Sequence, residues 1–465
     1  MNDKADNNRI HFPRVMIAAE RSGCGKTTFT CGLLQLLKNR GKRPVSFKCG
    51  PDYIDPMFHE KVLGVPSTNL DPYFLDENGI KSLICDRTSD GDCGVIEGVM
   101  GIYDGINVDS DSYSSYQVSV DSDTNIILMV NARGAGRTLI SVIKGILADD
   151  RCRKIKGIIL NQISEGYYQR LKPVLENEIS SDGFDTRVIG FLPKNDEISI
   201  SSRYLGLNLP GEIQGLQEQI NLMADMIEKY TDVDAILELM EGSGNLDSCD
   251  ASLKHDEMSE TGLALAVAKD EAFCFYYKEN IEAFEKRGVK IVYFSPLHDV
   301  KIPEGVSALL LGGGYPEQYA KELSGNTTML ESVKNALDCG LPCIAECGGF
   351  MYLHKSIKTK DGDVYSMAGV LDATVEYTGH LVRFGYFSIS ECSSFKGLAG
   401  MKGHEFHYFD STENGEDALL EKTSTGKKYS TMIVDGRRVM GYPHLYYNSS
   451  PEFVDEFIRV MKGEK

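Results

Sequence analysis

No transmembrane helix is expected in this chain, since no run of about 18 consecutive apolar residues occurs. The opening stretch, MNDKADNNRI, is polar and short and has none of the apolar centre of a signal peptide, so a cytoplasmic protein is expected. Among 12 cysteines no two stand in a CxxC pair, which argues for reduced thiols. Cys339, Cys343 and Cys347 recur every fourth residue, but Pro342 breaks the helix that would align them on a metal. Basic residues are scarce: 49 against 68 acidic ones, for a net charge of −19. That balance argues against nucleic acid and against an anionic membrane surface, and an anionic substrate would need a local basic pocket. No internal repeat is visible.

What is present suits a soluble globular protein. The 465 residues allow two or three domains, and the apolar and charged fractions, 42% and 25%, are ordinary for a soluble protein. Residues 241–261 are polar, rich in Gly, Ser and Asp, and without periodicity. They read as a linker between domains at 1–240 and 262–465.

The first half opens as an α/β unit. An apolar strand, Val15 to Ala19, runs into ERSGCGKTT and then into an amphipathic helix carrying Phe29, Leu33, Leu34, Leu36 and Leu37. The GxGKTT tail is that of a phosphate-binding loop, in which backbone N–H groups cradle phosphates. Ser22, Gly23, Gly25, Lys26, Thr27 and Thr28 are the expected ATP contacts, with Lys26 on the terminal phosphates and Thr27 on Mg²⁺. Glu20 stands where the usual pattern has its first glycine. Further strands are expected at Pro44 to Lys48, at Val95–Ile96, at Asn125 to Val130, at Lys156 to Asn161 and at Arg187 to Leu192. Residues 211–240 read as helical. After the second strand, CGPDYIDPMFH carries two prolines and two aspartates and reads as a fixed loop rather than a helix. It lies at a strand's C-terminal end, where open α/β sheets bind ligands; an Asx-turn capping a helix is the other reading. Glu97 directly follows a buried strand, the place of a Walker-B-like Mg²⁺ ligand. Asn161 ends a strand and could face the nucleotide base, and Arg133 and Arg137 could supply positive charge.

The second half is organised around LPCIAECGGFMYL, residues 341–353. A strand from Leu341 to Ala345, then Cys347 and two glycines, then a helical pattern, has the logic of a nucleophile elbow. A helix N-terminus behind the thiol would lower its pKa. A buried cysteine in a Gly-punctuated turn is the plainer reading. The glycine loop LLLGGGYPE can aim N–H groups of Gly313 and Gly314, with that of Gly348, at an oxyanion. His444, in GYPHLYY, is the histidine placed to serve as base. HEFH at His404 to His407 invites a metal reading, but on a strand His404 points away from Glu405 and His407.

In this order GGGYPE, AECGG, GHEFHY and the terminal histidine resemble the triad-type (class I) glutamine amidotransferases. Together with the GPDYIDP and EGVMG-x-YDG strings they resemble the cobyrinic acid a,c-diamide synthase family over nearly the whole chain. The resemblance implies a P-loop, dethiobiotin synthetase-like parallel-sheet domain followed by a class I glutamine amidotransferase-like α/β domain. It implies Cys347 and His444 as catalytic residues, with Mg²⁺ on Thr27 and Glu97. It implies acceptor contacts from Asp52, Tyr53, Asp104 and Arg203, with Asp55 a further candidate. ATP, L-glutamine and cob(II)yrinic acid are the implied substrates, in anaerobic cobalamin biosynthesis; hydrogenobyrinic acid and nickel-sirohydrochlorin are alternative acceptors. A homodimer is a further expectation. Two departures stand out. Tyr204 replaces the histidine that usually follows the arginine at Arg203, and Tyr446 occupies the place where many such amidotransferases carry the triad glutamate, a lack the family shares; Glu405 is one candidate to orient His444 instead. A partitioning-type ATPase is the distant alternative, but Arg21 stands where its signature lysine would be, and the Cys347 half would be left unexplained.

Overall fold

A computed structural model of the chain describes residues 9–195, 210–247 and 261–464. It divides into two compact units, Met1–Ala251 and Ser252–Lys465. Of the stretch read as a linker, Glu241 closes the helix Val233–Glu241, and Leu246–Asp247 pairs antiparallel with Arg9–Ile10.

The first unit is built on a seven-stranded parallel sheet. Its order is Ser67–Leu70, Pro44–Cys49, Cys93–Glu97, Arg14–Ala19, Asn125–Asn131, Ile155–Asn161 and Arg187–Leu192. The central strands are buried on both faces, which is why RVMIAA and NIILMVN are nearly continuous apolar runs. Six of the seven strands are those expected. Ser67–Leu70, with the sequence STNL, is an edge strand too polar to show in the hydropathy pattern. The helix Lys26–Asn39 buries Phe29, Leu33, Leu34, Leu36 and Leu37. It is crossed at Gly32 by the helix Pro210–Tyr230; a Cβ there would stand 2.3 Å from Met223 Cγ. The segment expected as a fixed loop is in large part a helix, Ile54–Lys61. Pro56 falls in its first turn, where a missing N–H costs nothing. Asp52 Oδ1 accepts from the Ile54 N–H at 2.8 Å and so begins the helix.

The second unit has a six-stranded sheet in the order Lys290–Phe294, Ala264–Ala268, Ala308–Leu311, Cys343–Glu346, Arg438–Gly441 and Ile433–Val434. All neighbours are parallel except the last pair. Beyond it the chain is strand-rich. An antiparallel sheet places Arg383–Glu391 beside Lys402–His407, and the latter beside His444–Leu445. The strand expected from Leu341 begins at Cys343, because Pro342 has no N–H to donate to the ladder.

Candidate active sites

The first site lies at the C-terminal ends of the parallel strands of the first unit. Gly25 caps the helix Lys26–Asn39 with φ 94°, a left-handed value that favours glycine. A Cβ on Gly25 would also meet Asn161 Nδ2 at 2.7 Å, and that nitrogen donates to the Cys24 carbonyl at 2.8 Å. Asn161 therefore braces the loop. Glu20, in the first-glycine place, accepts from the Asn131 N–H at 3.1 Å, so its side chain ties the loop to the neighbouring strand. Lys26 Nζ folds over the loop onto the carbonyls of Arg21, at 3.2 Å, and Met100.

Behind the loop is a buried charge cluster. Thr27 Oγ1 donates to Glu97 Oε1 at 2.5 Å. Lys48 Nζ lies 2.9 Å from the same oxygen and 2.5 Å from Asp55 Oδ2. Burial disfavours the Lys48 ammonium, but Glu97 and Asp55 together hold its pKa above the ordinary value. Burial pushes the Glu97 carboxyl up to about 7 against the pull of Lys48. His59 sits behind it, with Nδ1 2.8 Å from Ser46 Oγ and Nε2 3.7 Å from Glu97 Oε2; burial lowers its pKa to about 4. Thr27, Glu97 and Asp55 offer the hard oxygen donors that Mg²⁺ takes. Glu97 Oε2 accepts no hydrogen bond among the described residues, which leaves a lone pair for an ion. Beside the loop a cavity of about 360 Å³ is lined by Gly25, Thr28, Arg133, Asn161, Lys194 and Met226, among others.

The second site is assembled from segments far apart in the sequence. Cys347 has φ 46° and ψ −103°, a strained conformation for a residue with a side chain. It is held because its N–H donates to the Gly441 carbonyl at 2.8 Å, while the Gly349 N–H donates to Gly312 at 2.8 Å. The glycine loop closes on it. A Cβ on Gly348 would lie 3.1 Å from the Gly314 nitrogen, and one on Gly313 would lie 2.4 Å from His444 Cε1. Only side-chain-free residues allow the elbow, the loop and the histidine to meet. Tyr276 braces the loop from behind, its hydroxyl accepting from the Gly312 N–H at 2.8 Å. His444 lies opposite His404 in register, and their rings stack at 5.0 Å and 14°. His404 is held in turn by the Tyr277 hydroxyl, 3.1 Å from its Nδ1. Beside the loop a cavity of about 540 Å³ is lined by Glu317, Gln318, Lys360, Tyr377 and Tyr408, among others. A larger cavity, about 930 Å³, lies at the opposite ends of the strands around Lys301, Cys339 and Arg437 and holds none of the expected site residues.

Residues 15–205 match the CobQ/CobB/MinD/ParA nucleotide binding domain, and residues 264–451 match the CobB/CobQ-like glutamine amidotransferase domain. The chain is 36% identical over 448 residues to the cobyrinate a,c-diamide synthase of Clostridium tetani, covering 95% of this chain and 98% of that protein. It is 37% identical over 453 residues to the one from Clostridium acetobutylicum, with 96% and 99% covered. The enzyme of Salmonella typhimurium gives 35% over 454 residues, with 95% and 97% covered. The chain belongs to the cobyrinate a,c-diamide synthase family. Membership makes it an amide-forming ligase that joins a P-loop nucleotide-binding domain to a glutamine amidotransferase domain.

Within that cobyrinate a,c-diamide synthase framework several expectations need correction. The Cys347 thiol is not lowered by a helix: burial, and after it Glu317, push its pKa well above the ordinary value. The helix behind it, Gly348–Tyr352, has only five residues and little dipole to offer. His444 is likewise pushed far below its ordinary value by burial, then by His404 and His407. Glu405 does not orient His444: it lies on the other face of its strand, bonded to Tyr429 and, at 3.4 Å, to Arg383. Arg137 is spent on Glu178 at 2.9 Å. Asp104 is exposed and accepts from the Gly101 N–H at 2.7 Å, and Tyr53 is buried. Arg203 and Tyr204 lie outside the described residues. Sequence reading missed Lys48 and His59, and gave Asp55 no part in a charge cluster. The sequence signal was a lysine and an aspartate flanking the GPDY turn, both in a run otherwise read as strand and loop.

Proposed function

We propose that this protein amidates the a and c acetate carboxylates of cob(II)yrinic acid in anaerobic cobalamin biosynthesis, using ATP and glutamine. The observation that carries the reading is the meeting of the strained Cys347 elbow with Gly313, Gly314 and His444. In the second unit Cys347 Sγ attacks the glutamine amide carbon while its proton passes to His444. Gly348 and the Gly313–Gly314 loop turn N–H groups toward the oxygen that becomes negative. The C–N bond breaks, His444 returns the proton to the leaving ammonia, and water then cleaves the thioester to glutamate. Burial disfavours both the thiolate and the imidazolium.

In the first unit the acceptor carboxylate attacks the γ-phosphorus of ATP, giving an acyl phosphate and ADP. Ammonia displaces phosphate and leaves the amide. Gly23, Gly25, Lys26, Thr27 and Thr28 cradle the nucleotide phosphates, with Ser22 at the mouth, and Asn161 and the adjoining cavity suit the base. Thr27, Glu97 and Asp55 would hold Mg²⁺, which when bound neutralises phosphate charge. Lys48 steadies both carboxylates. Asp52, Tyr53 and Asp104, with Arg203, are assigned to the acceptor.

The test offers cob(II)yrinic acid, hydrogenobyrinic acid and nickel-sirohydrochlorin separately, with ATP, Mg²⁺ and glutamine, and follows the mass of the product. Double amidation of cob(II)yrinic acid in preference to the others supports the reading. Preference for either rival acid overturns the acceptor assignment, and no amide on any acid overturns the whole.

A further inference from the structure

This chain has no carboxylate two residues after His444; Tyr446 fills that place. A different acid reaches the same segment. Glu346 immediately precedes the nucleophile and ends the strand Cys343–Glu346. Its side chain is buried and turns toward the segment that follows His444. Glu346 Oε1 accepts from the Tyr447 hydroxyl at 2.8 Å, and the carboxyl also accepts from the Leu445 N–H. Asn280, also buried, completes a clamp on the same two residues: its Nδ2 donates to the Leu445 carbonyl at 2.8 Å, and its Oδ1 accepts from the Tyr447 N–H at 2.8 Å. Burial raises the Glu346 carboxyl to about 8, with Tyr447 and Leu445 drawing it back. A buried acid in a protein interior is retained at a cost in solvation unless its bonds fix something.

We infer that Glu346 is the positioning residue of the glutaminase site, locking the His444–Tyr447 segment to the Cys347 elbow through Leu445 and Tyr447. Its hydrogen bonds run to Tyr447 and Leu445. It sets the distance and angle between base and nucleophile by holding their two backbones together, the task that a triad carboxylate performs at the imidazole itself. The inference rests on the proposed roles of Cys347 and His444.

The experiment is a double-mutant cycle in the full chain, with glutamate release read at saturating ATP and acceptor. Glu346→Leu removes both bonds at similar size, and Tyr447→Phe removes one while keeping the ring. Each is expected to lower kcat for glutamine about tenfold, with KM little changed. The double variant should be no worse than Glu346→Leu alone, because the two side chains act through one bond. Glu346→Gln, whose carbonyl still accepts, should recover most of the loss. Ammonium-dependent synthesis reports folding, and a variant that has lost it is set aside in favour of Tyr447→Phe, which keeps its packing. Additive losses, a change confined to KM, or an unaffected kcat in Tyr447→Phe and Glu346→Leu would overturn the inference. Cys347→Ala, run alongside, separates the levels: if glutamate release survives there, the proposed site itself is wrong, whatever Glu346 does.

Discussion

Replacing Lys48 with methionine keeps the side chain's length and removes its charge. In the native protein the ammonium lies 2.5 Å from Asp55 and 2.9 Å from Glu97, and all three groups are buried. The substitution leaves two acids facing each other in a medium of low dielectric. Removing one partner of a buried ion pair costs about 3–5 kcal/mol. Glu97, already pushed up to about 7, takes a proton and relieves part of this, so about 3 kcal/mol is expected near neutral pH. For a unit of this size that is a fall in Tm of about 6–12 °C. The pH dependence has a definite sign. Lys48 favours the ionised form of Glu97, so without it the carboxyl rises further, the penalty grows as pH increases through neutrality, and it shrinks on acidification. Thermal unfolding followed by circular dichroism, on wild type and Lys48→Met across that range, measures both. A second variant, Lys48→Met with Asp55→Asn, removes the like charge and should recover much of the loss. If Lys48→Met melts within about 2 °C of wild type under mildly alkaline conditions, the ammonium is not what holds the two acids, and the argument fails.

The other expectations concern activity. Lys26→Ala should stop amide synthesis with glutamine or ammonium alike; near-normal turnover with ammonium would remove ATP from the first site. His444→Ala should lower glutamate release by about 10²–10⁴-fold, the usual contribution of a positioned base. Glu405→Gln, whose carboxylate lies on the other face of its strand, should stay within a few-fold of wild type, and equal damage in both would restore Glu405 as the orienter. Alkylation of Cys347 by iodoacetamide should be slow at neutral pH and still rising above the ordinary thiol range, because burial holds the thiol protonated; a plateau below neutrality would mean a preformed thiolate.

The sheets and the two candidate sites were legible because strongly apolar strands ran into glycine-rich turns, as at Ala19, Leu311 and Ala345. What escaped had no such contrast. The strand Ser67–Leu70 is polar, and the helix Ile54–Lys61 was hidden by two prolines, of which Pro51 precedes it and Pro56 sits harmlessly in its first turn. Lys48 is one lysine in a strand, and nothing local shows that two acids, at 55 and 97, converge on it. The pKa of Cys347 was misjudged for a related reason: a helix dipole is a local property that sequence suggests, whereas burial is set by the whole fold. Glu346 was passed over because its partners, Leu445 and Tyr447, lie about a hundred residues downstream.

That separation bears on how the protein comes to possess a dangerous group. Cys347 emerges during synthesis long before His444, and until the strand-rich segment between them has folded, the elbow has neither His444 nor the Gly441 carbonyl that fixes its backbone. An unfolded thiol titrates at its ordinary value and is open to oxidants and electrophiles. Completing the fold buries that sulfur and shifts it toward the protonated, less reactive form. Maturation thus makes the Cys347 thiol chemically quieter toward bystanders at the same moment that the proposed site is assembled. The interval before closure is when the nascent chain is most exposed to irreversible damage, and long-range pairings of this kind are the slow ones to form.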